Sequence, residues 1–321
     1  MEMFDENFIE EMNTMLSYYK TENGRMEQLP SCEPGCWINC VAPDDREVNS
    51  LISDFGIEPD FFRAAMDEEE SSHIDNEDEN TLIVIDIPIV EKEGNNISYT
   101  TMPLGIIITE KNVITVSIKD NPVVGEFAQG LVRNVQTNLK TRFVLNIMLR
   151  VAARFLQYLK QIDKISNYVE KELRHSMRNK ELLQLLDIEK SLVYFSSSLK
   201  GNEITLEKIM RGRVIKMYDE DHDLLDDVLI EVRQAIDMSN IYLNIVNGIM
   251  DASSSVISNN LSSVMKTFVP FLVLAAIPLI IFGLYGMNVR FIPFANFWFP
   301  LILAAMLTVA AFFAMKKKKE L

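Results

Sequence analysis

The sequence predicts an α/β domain, then long helices, then two membrane-spanning helices at the C-terminus. Three observations predict it. Glycine, proline and β-rich runs crowd the first 122 residues. No proline occurs between Pro122 and Pro270. Two uncharged apolar segments close the chain. The 321 residues carry 31 Lys and Arg against 46 Asp and Glu, a net charge of −15. That balance excludes a phosphate backbone as partner, which needs basic patches, and suits the attraction of cations.

The first residues, Met1 to Glu6, are acidic and lack the basic start and apolar core of a secretory signal. The N-terminal region is therefore expected in the cytoplasm. Cys36 to Val41 reads as a strand that stops before Pro43. Asp44 has the chemistry of an N-cap for a helix from Asp45 to about Phe55, and Pro59 opens another that ends near Met66. Thr81 to Val90 is rich in Ile and Val, with Pro88 suggesting an edge or strand end. Gly105 to Thr109 and Val113 to Ile118 read as two more strands across a turn at Glu110-Lys111-Asn112. These runs predict a small mixed sheet. Cys32, Cys36 and Cys40 stand at four-residue spacing, but Pro34 and Gly35 break any helix that would align them. They read as reduced cytosolic thiols.

Beyond Pro122 the composition turns to Leu, Glu, Lys and Gln, which predicts helices over about 124–160, 162–199 and from 203 onward. Gly130 and Gly201 are read as the interruptions. In the last helix Leu225, Leu229, Val232, Ile236, Ser239, Leu243, Val246 and Met250 alternate steps of four and three, a heptad seam with one polar position. A helix packed on its own domain explains that seam equally well. No stop signal precedes the membrane, so a helix from Ile204 to Asn288 would run about 125 Å at 1.5 Å per residue.

Phe268 to Met287 holds no charged residue and is long enough to cross a bilayer core, and membrane helices tolerate its Pro270 and Pro278. Phe291 to Met315 is a second uncharged segment, and Arg290 is the one charge in the link. Lys266 opens the first span, and Lys316 to Lys319 close the second. Excess lysine marks the cytoplasmic side, so both ends of the hairpin are expected inside and the short loop outside.

The expected organisation is a cytosolic α/β domain over 1–122, a cytosolic helical segment over 123–202 and a stalk helix over 203–266. A first membrane helix over 267–288, an outer loop over 289–295, a second membrane helix over 296–315 and a basic tail over 316–321 follow.

The first span ends in Tyr285-Gly286-Met287-Asn288. Placed at the outer end of the penultimate membrane helix, before a last helix and a lysine run, this motif resembles that of the CorA magnesium transporter family. Cys36-Trp37-Ile38-Asn39 resembles the family's early Trp-Ile-Asn strand. Leu104 to Thr109 followed by Asn112-Val113 resembles its late strand pair, and Asn259-Asn260 through Val264-Met265-Lys266 the run into its first membrane helix. The resemblance implies a funnel-like homopentamer whose first membrane helix lines the pore and whose second forms an outer ring. It implies Mg2+ as transported and regulatory ion. Its partners would be further copies of the chain, the lipid bilayer of an inner or plasma membrane, and divalent cations, with no nucleic acid.

The chemistry of the motif suits such an ion. Mg2+ gives up its water reluctantly. A selectivity filter at Gly286, Met287 and Asn288 offers neutral oxygens that hold a hydrated ion by its waters, where a ring of carboxylates would release it too slowly. A helix C-cap is the structural alternative for Gly286 and Asn288. Walking back in steps of three and four gives Met265, Ser262, Ser258, Ser255 and Asp251 on one face, a candidate lining for a hydrated path. An ordinary solvent face is the other reading of that stripe. Phe268 and Val269 begin an apolar stretch suited to gating by dewetting. Two acidic runs, Asp67 to Glu79 and Asp219 to Asp227, read mostly as solvated surface. The resemblance singles out Asp67 and Asp227, whose family counterparts face each other between subunits around a regulatory Mg2+.

This sequence also departs from the family. The segment from Val289 to Asn296 has no acidic residue after the motif and carries Arg290, which repels a cation; Ser262 stands where Asn is usual. His73, His175 and His222 are scattered and no phosphate-binding glycine loop appears, so an enzyme is not expected. Transport of Co2+, Ni2+ or Zn2+ is the alternative within the class, although no Cys or His lines the proposed path. A membrane-tethered helical scaffold is the alternative outside it.

Overall fold

The computed structural model describes residues 16–77, 79–93, 96–176, 179–212, 215–288, 294 and 296–317. The acidic start, most of the outer loop with Arg290, and Lys318 and Lys319 lie outside them. The chain divides into two compact units, Met1–Gly248 and Ile249–Leu321.

The first unit is built on a seven-stranded mixed sheet. Its strands are β1 (Leu16–Glu22), β2 (Arg25–Leu29), β3 (Trp37–Val41), β4 (His73–Glu77), β5 (Asn80–Glu93), β6 (Asn96–Ile108) and β7 (Val113–Ser117), in the order β2-β1-β3-β7-β6-β5-β4. Among the described residues only the β3–β7 pair is parallel. The sheet is larger than the sequence suggests. β1 and β2 form a hairpin across Asn23 and Gly24, both at positive φ (50° and 78°), the geometry of a two-residue type I′ turn. β4 lies inside the acidic run, at the sheet edge, where charge discourages pairing with another chain. β5 and β6 pair over their whole lengths as one long hairpin. Pro88 sits on β5 beyond the reach of β4, so its missing N–H faces no ladder partner there.

One face of the sheet is covered by α1 (Asp45–Phe55) and α2 (Pro59–Ala65). Asp44 caps α1 as expected, accepting from the Arg46 and Glu47 N–H groups, while the Glu47 carboxylate accepts the Asp44 N–H at 3.0 Å. This reciprocal cap is worth about 1 kcal/mol. Gly56, at φ 62°, ends the helix. Phe61, Phe62 and Leu51 pack into a core with Ile38, Leu82, Val84, Ile107 and Val116. Only glycine fits at position 105, because a Cβ there would lie 2.3 Å from the Ala65 Cβ. On the other face, Trp37 packs its ring against Phe127 and Phe143 and donates from Nε1 to Thr115 Oγ1 at 2.9 Å.

The helical region differs from expectation in register. It holds α3 (Pro122–Ala128), α4 (Lys140–Ser176), α5 (Asn179–Arg211), α6 (Asp219–Tyr285) and α7 (Trp298–Lys317). The break at Gly130 is real, since its φ is 66°. The expected breaks near 161 and at Gly201 do not occur. Gly201 lies inside α5 for a packing reason: a Cβ would meet Ser72 Oγ at 3.2 Å. The stalk helix, expected from 203, begins at Asp219, because residues through Arg211 continue α5. Its start is fixed by Asp221, whose carboxylate accepts the Tyr218 N–H at 3.0 Å.

The heptad seam packs within its own chain. Leu225, Leu229, Val232, Ile236, Ser239 and Val246 are buried, while Leu243 and Met250 are half-buried. Ser239 donates to the Leu192 carbonyl of α5 at 3.0 Å, which satisfies the one polar seam position. Arg233 binds Glu203 and Glu207 of α5 at 2.6 and 2.8 Å.

Candidate functional site

The second unit contains the rest of α6 and all of α7. Both helices are long and apolar enough to cross a membrane, and nearly all of each apolar stretch is exposed in the chain taken alone. Among the described residues, nothing covers the exposed Phe271, Leu272, Leu279, Ile280, Ile302 and Val309. In water such surface costs about 25 cal/mol per Å2. Exposed apolar surface of this extent is characteristic of membrane or interaction sites.

α6 carries Pro270 and Pro278 in its interior. Proline has no N–H, so the carbonyls of Lys266 and Leu274 lose their usual helical donor. The helix ends at Tyr285. Gly286 N–H still bonds back to the Phe282 carbonyl at 2.8 Å, and Met287 N–H reaches Leu284 at 3.4 Å, so the last turn tightens. Gly286 does not take the left-handed conformation of a glycine cap. A Cβ there would lie 3.0 Å from the Phe282 oxygen, the same carbonyl that its own N–H bonds. Gly286, Met287 and Asn288 are all exposed, in sequence and side by side at this helix end.

An aromatic cluster stands beside the motif. The Tyr285 ring lies 6.2 Å from that of Phe299, and Phe299 stacks on Phe294 at 4.8 Å. Phe297 and Trp298 are also exposed. Aromatic rings of this kind collect at the level of lipid headgroups in membrane proteins. The cluster's signal in the sequence is the density of Phe and Trp from 294 to 299.

Asp251, Ser255, Ser258, Ser262, Met265, Phe268 and Val269 are all exposed on α6. Ser255 Oγ donates to the Asp251 carbonyl at 3.0 Å, so that hydroxyl is partly engaged by its own helix.

The two singled-out carboxylates belong to the first unit. Asp67 follows α2 and folds its own turn, with Oδ1 accepting the Glu69 N–H at 3.0 Å. Asp227 is exposed on α6 and lines a groove with Arg133, Arg142, Glu220 and Asp223. Arg142 pairs with Glu220 across that groove at 2.9 Å. Among the described residues of a single chain, no three His, Cys, Asp or Glu side chains are grouped to hold a metal ion.

Comparison with known proteins bears on this arrangement. A family model described as CorA-like Mg2+ transporter protein matches residues 33–317. The cobalt/magnesium transport protein CorA of Methanocaldococcus jannaschii is 26% identical over 290 residues, spanning 86% of this chain and 88% of its own. The complete structure of the CorA magnesium transporter from the same organism superposes with a TM-score of 0.77 at 22% identity, covering 95% of this chain and 97% of its own. The ZntB cytoplasmic domain from Vibrio parahaemolyticus superposes with a TM-score of 0.59 at 10% identity, over 76% of this chain and 98% of its own. At those identities the two structures speak to the fold alone.

Proposed function

The chain belongs to the CorA-like Mg2+ transporter family, and from that premise we propose that it is a channel-like Mg2+ uptake protein, driven by the ion's electrochemical gradient and gated by cytosolic Mg2+. Its coarser identity, a divalent-cation transporter of the CorA family, follows from the family match and the α/β domain, long helix and two apolar helices of the fold. The observation that carries the finer reading is the end of α6. An apolar helix closes there on Gly286, Met287 and Asn288, exposed and uncharged, beside an aromatic cluster.

In this reading several copies, five by family resemblance, bring their α6 ends together. Five Asn288 amide oxygens and the unhindered Gly286 carbonyls form a ring that accepts hydrogen bonds from the water shell of Mg2+. Neutral acceptors hold that shell without stripping it, which is what a slowly dehydrating ion requires. The face from Asp251 to Met265 then lines a hydrated inner path, and Phe268 and Val269 form the dewetting gate. Both termini lie in the cytoplasm, as the lysines at 266 and 316–319 favour. Asp67 and Asp227 of adjacent copies share a regulatory ion. In the lone chain each carboxylate is exposed and available to such a partner.

Cobalt is the specific rival, since the archaeal relative is named for both ions. Competition separates them. With labelled uptake measured in cells, a tenfold excess of Mg2+ is expected to suppress entry of Co2+, Ni2+ and Zn2+ more strongly than each suppresses entry of Mg2+. Preferential block of Mg2+ entry by Co2+ at equal concentration would reassign the substrate.

A further inference from the structure

The three cysteines have no part in the transport path, and the structure pairs two of them. Cys32 Sγ lies 3.7 Å from Cys36 Sγ. The intervening Pro34-Gly35 folds the chain back, with Gly35 at φ 78° and the Cys36 N–H bonded to the Glu33 carbonyl at 3.1 Å. The two partners differ in setting. Cys36 is fully buried in the core, and the Asn112 amide donates to its sulfur and its carbonyl, both at 3.1 Å. Cys32 is exposed as a residue, with its sulfur turned onto Cys36. Glu33, between them, is held by Lys20 at 2.7 Å and through its carbonyl by Asn112 at 2.8 Å.

We propose that Cys32 and Cys36 form a two-electron thiol–disulfide modification site of the α/β domain, oxidised by a small disulfide of the glutathione type. The exchange balances in two steps. The Cys32 thiolate attacks one sulfur of the small disulfide, its S–S bond breaks, and one thiolate leaves. The Cys36 thiolate then attacks the Cys32 sulfur, forms the intramolecular S–S bond, and expels the second thiolate. The two protons lost by the cysteines end on the two small thiols, which are the reduced products.

The geometry says which side moves. A disulfide needs about 2.05 Å between sulfurs, so the pair must close by about 1.7 Å. Cys36 is locked by the core and by Asn112, and Glu33 by Lys20, so closure falls to rotation of the Cys32 side chain. The sheet contacts of β3 stay in place. Burial of its sulfur and the adjacent Cys36, with Asp54 and Glu33 adding to them, push the Cys32 thiol up to about 12. Cys32 is therefore protonated at neutral pH and exchanges slowly, following a sustained change in redox poise rather than a brief pulse. Cys40 is deeper in the core, and its burial raises its thiol further.

The test uses the full-length protein in detergent, equilibrated with glutathione mixtures from fully reduced to fully oxidised, acid-quenched, alkylated and peptide-mapped. The expected product is a Cys32–Cys36 disulfide, two thiols lost per chain, Cys40 still free and the circular dichroism unchanged. Cys32→Ser is expected to yield neither disulfide nor adduct, and Cys36→Ser to accumulate a glutathione adduct on Cys32. Retention of both thiols in the fully oxidised mixture, or a wild-type reaction that halts at the Cys32 adduct, would overturn the proposal. Mapping of the wild-type chain decides it even where Cys36→Ser folds poorly.

Discussion

Asn288→Ala is expected to reduce Mg2+ uptake to background while the oligomer stays assembled. Asn288 follows the last turn of α6 and is exposed, so its side chain has no core contact to lose. Its amide oxygen is what the proposed filter uses. Alanine offers no acceptor to a hydrated ion, and the loss repeats in every copy around the ring. Because Mg2+ keeps its water tightly, the Gly286 carbonyls that remain cannot compensate by binding the bare ion. Assembly depends on other surfaces, so native mass spectrometry of the variant should match the wild type. Normal uptake by this variant would remove Asn288 from the filter.

The second large effect is expected in regulation. Asp67→Asn combined with Asp227→Asn should weaken inhibition by internal Mg2+ in the millimolar range and leave ion preference unchanged. In the proposed site an ion bridges Asp67 and Asp227 of neighbouring copies, and its loss would leave like charges that repel and loosen that interface. The double amide variant has neither the clamp nor the repulsion, so the response to internal Mg2+ flattens. Both residues are exposed and neither supports the core, so folding should survive. Patch-clamp currents against internal Mg2+ read this directly. Unaltered inhibition would move the sensor to other members of the two acidic runs.

What the sequence could disclose followed from how local each signal was. The Asp44 cap, the helix end near Phe55 and the β3 strand are set by neighbours within a few residues, and the structure has them where the residues put them. The Asn23-Gly24 hairpin was equally local, and its dipeptide is a strong turn signal, but the acidic and polar surroundings of β1 hid it. β4 was lost in the same way, since an edge strand rich in Asp and Glu looks like solvated surface. A glycine is punctuation only where its backbone needs it. At Gly130 the left-handed φ justifies that, whereas at Gly201 the glycine exists to let Ser72 approach. The seam from Leu225 to Val246 was legible as apolar but not as to its partner, which is α5 of the same chain. The motif at 285–288 was legible because its position, at the end of an uncharged span, is written in sequence. The closeness of Cys32 and Cys36 was not, because it depends on a turn and on Asn112, distant in the chain.

The central claim is that this chain alone conducts Mg2+ down its electrochemical gradient. The direct measurement is Mg2+ entry into liposomes holding only the purified protein, read by an internal dye while an inside-negative potential is imposed by a potassium gradient. A divalent ion gains about 4.6 kcal/mol per 100 mV of such potential. Entry is predicted to rise steeply with that potential and to need neither ATP nor a proton gradient. Entry no faster than into protein-free liposomes, or entry that appears only with a proton gradient, would contradict the account.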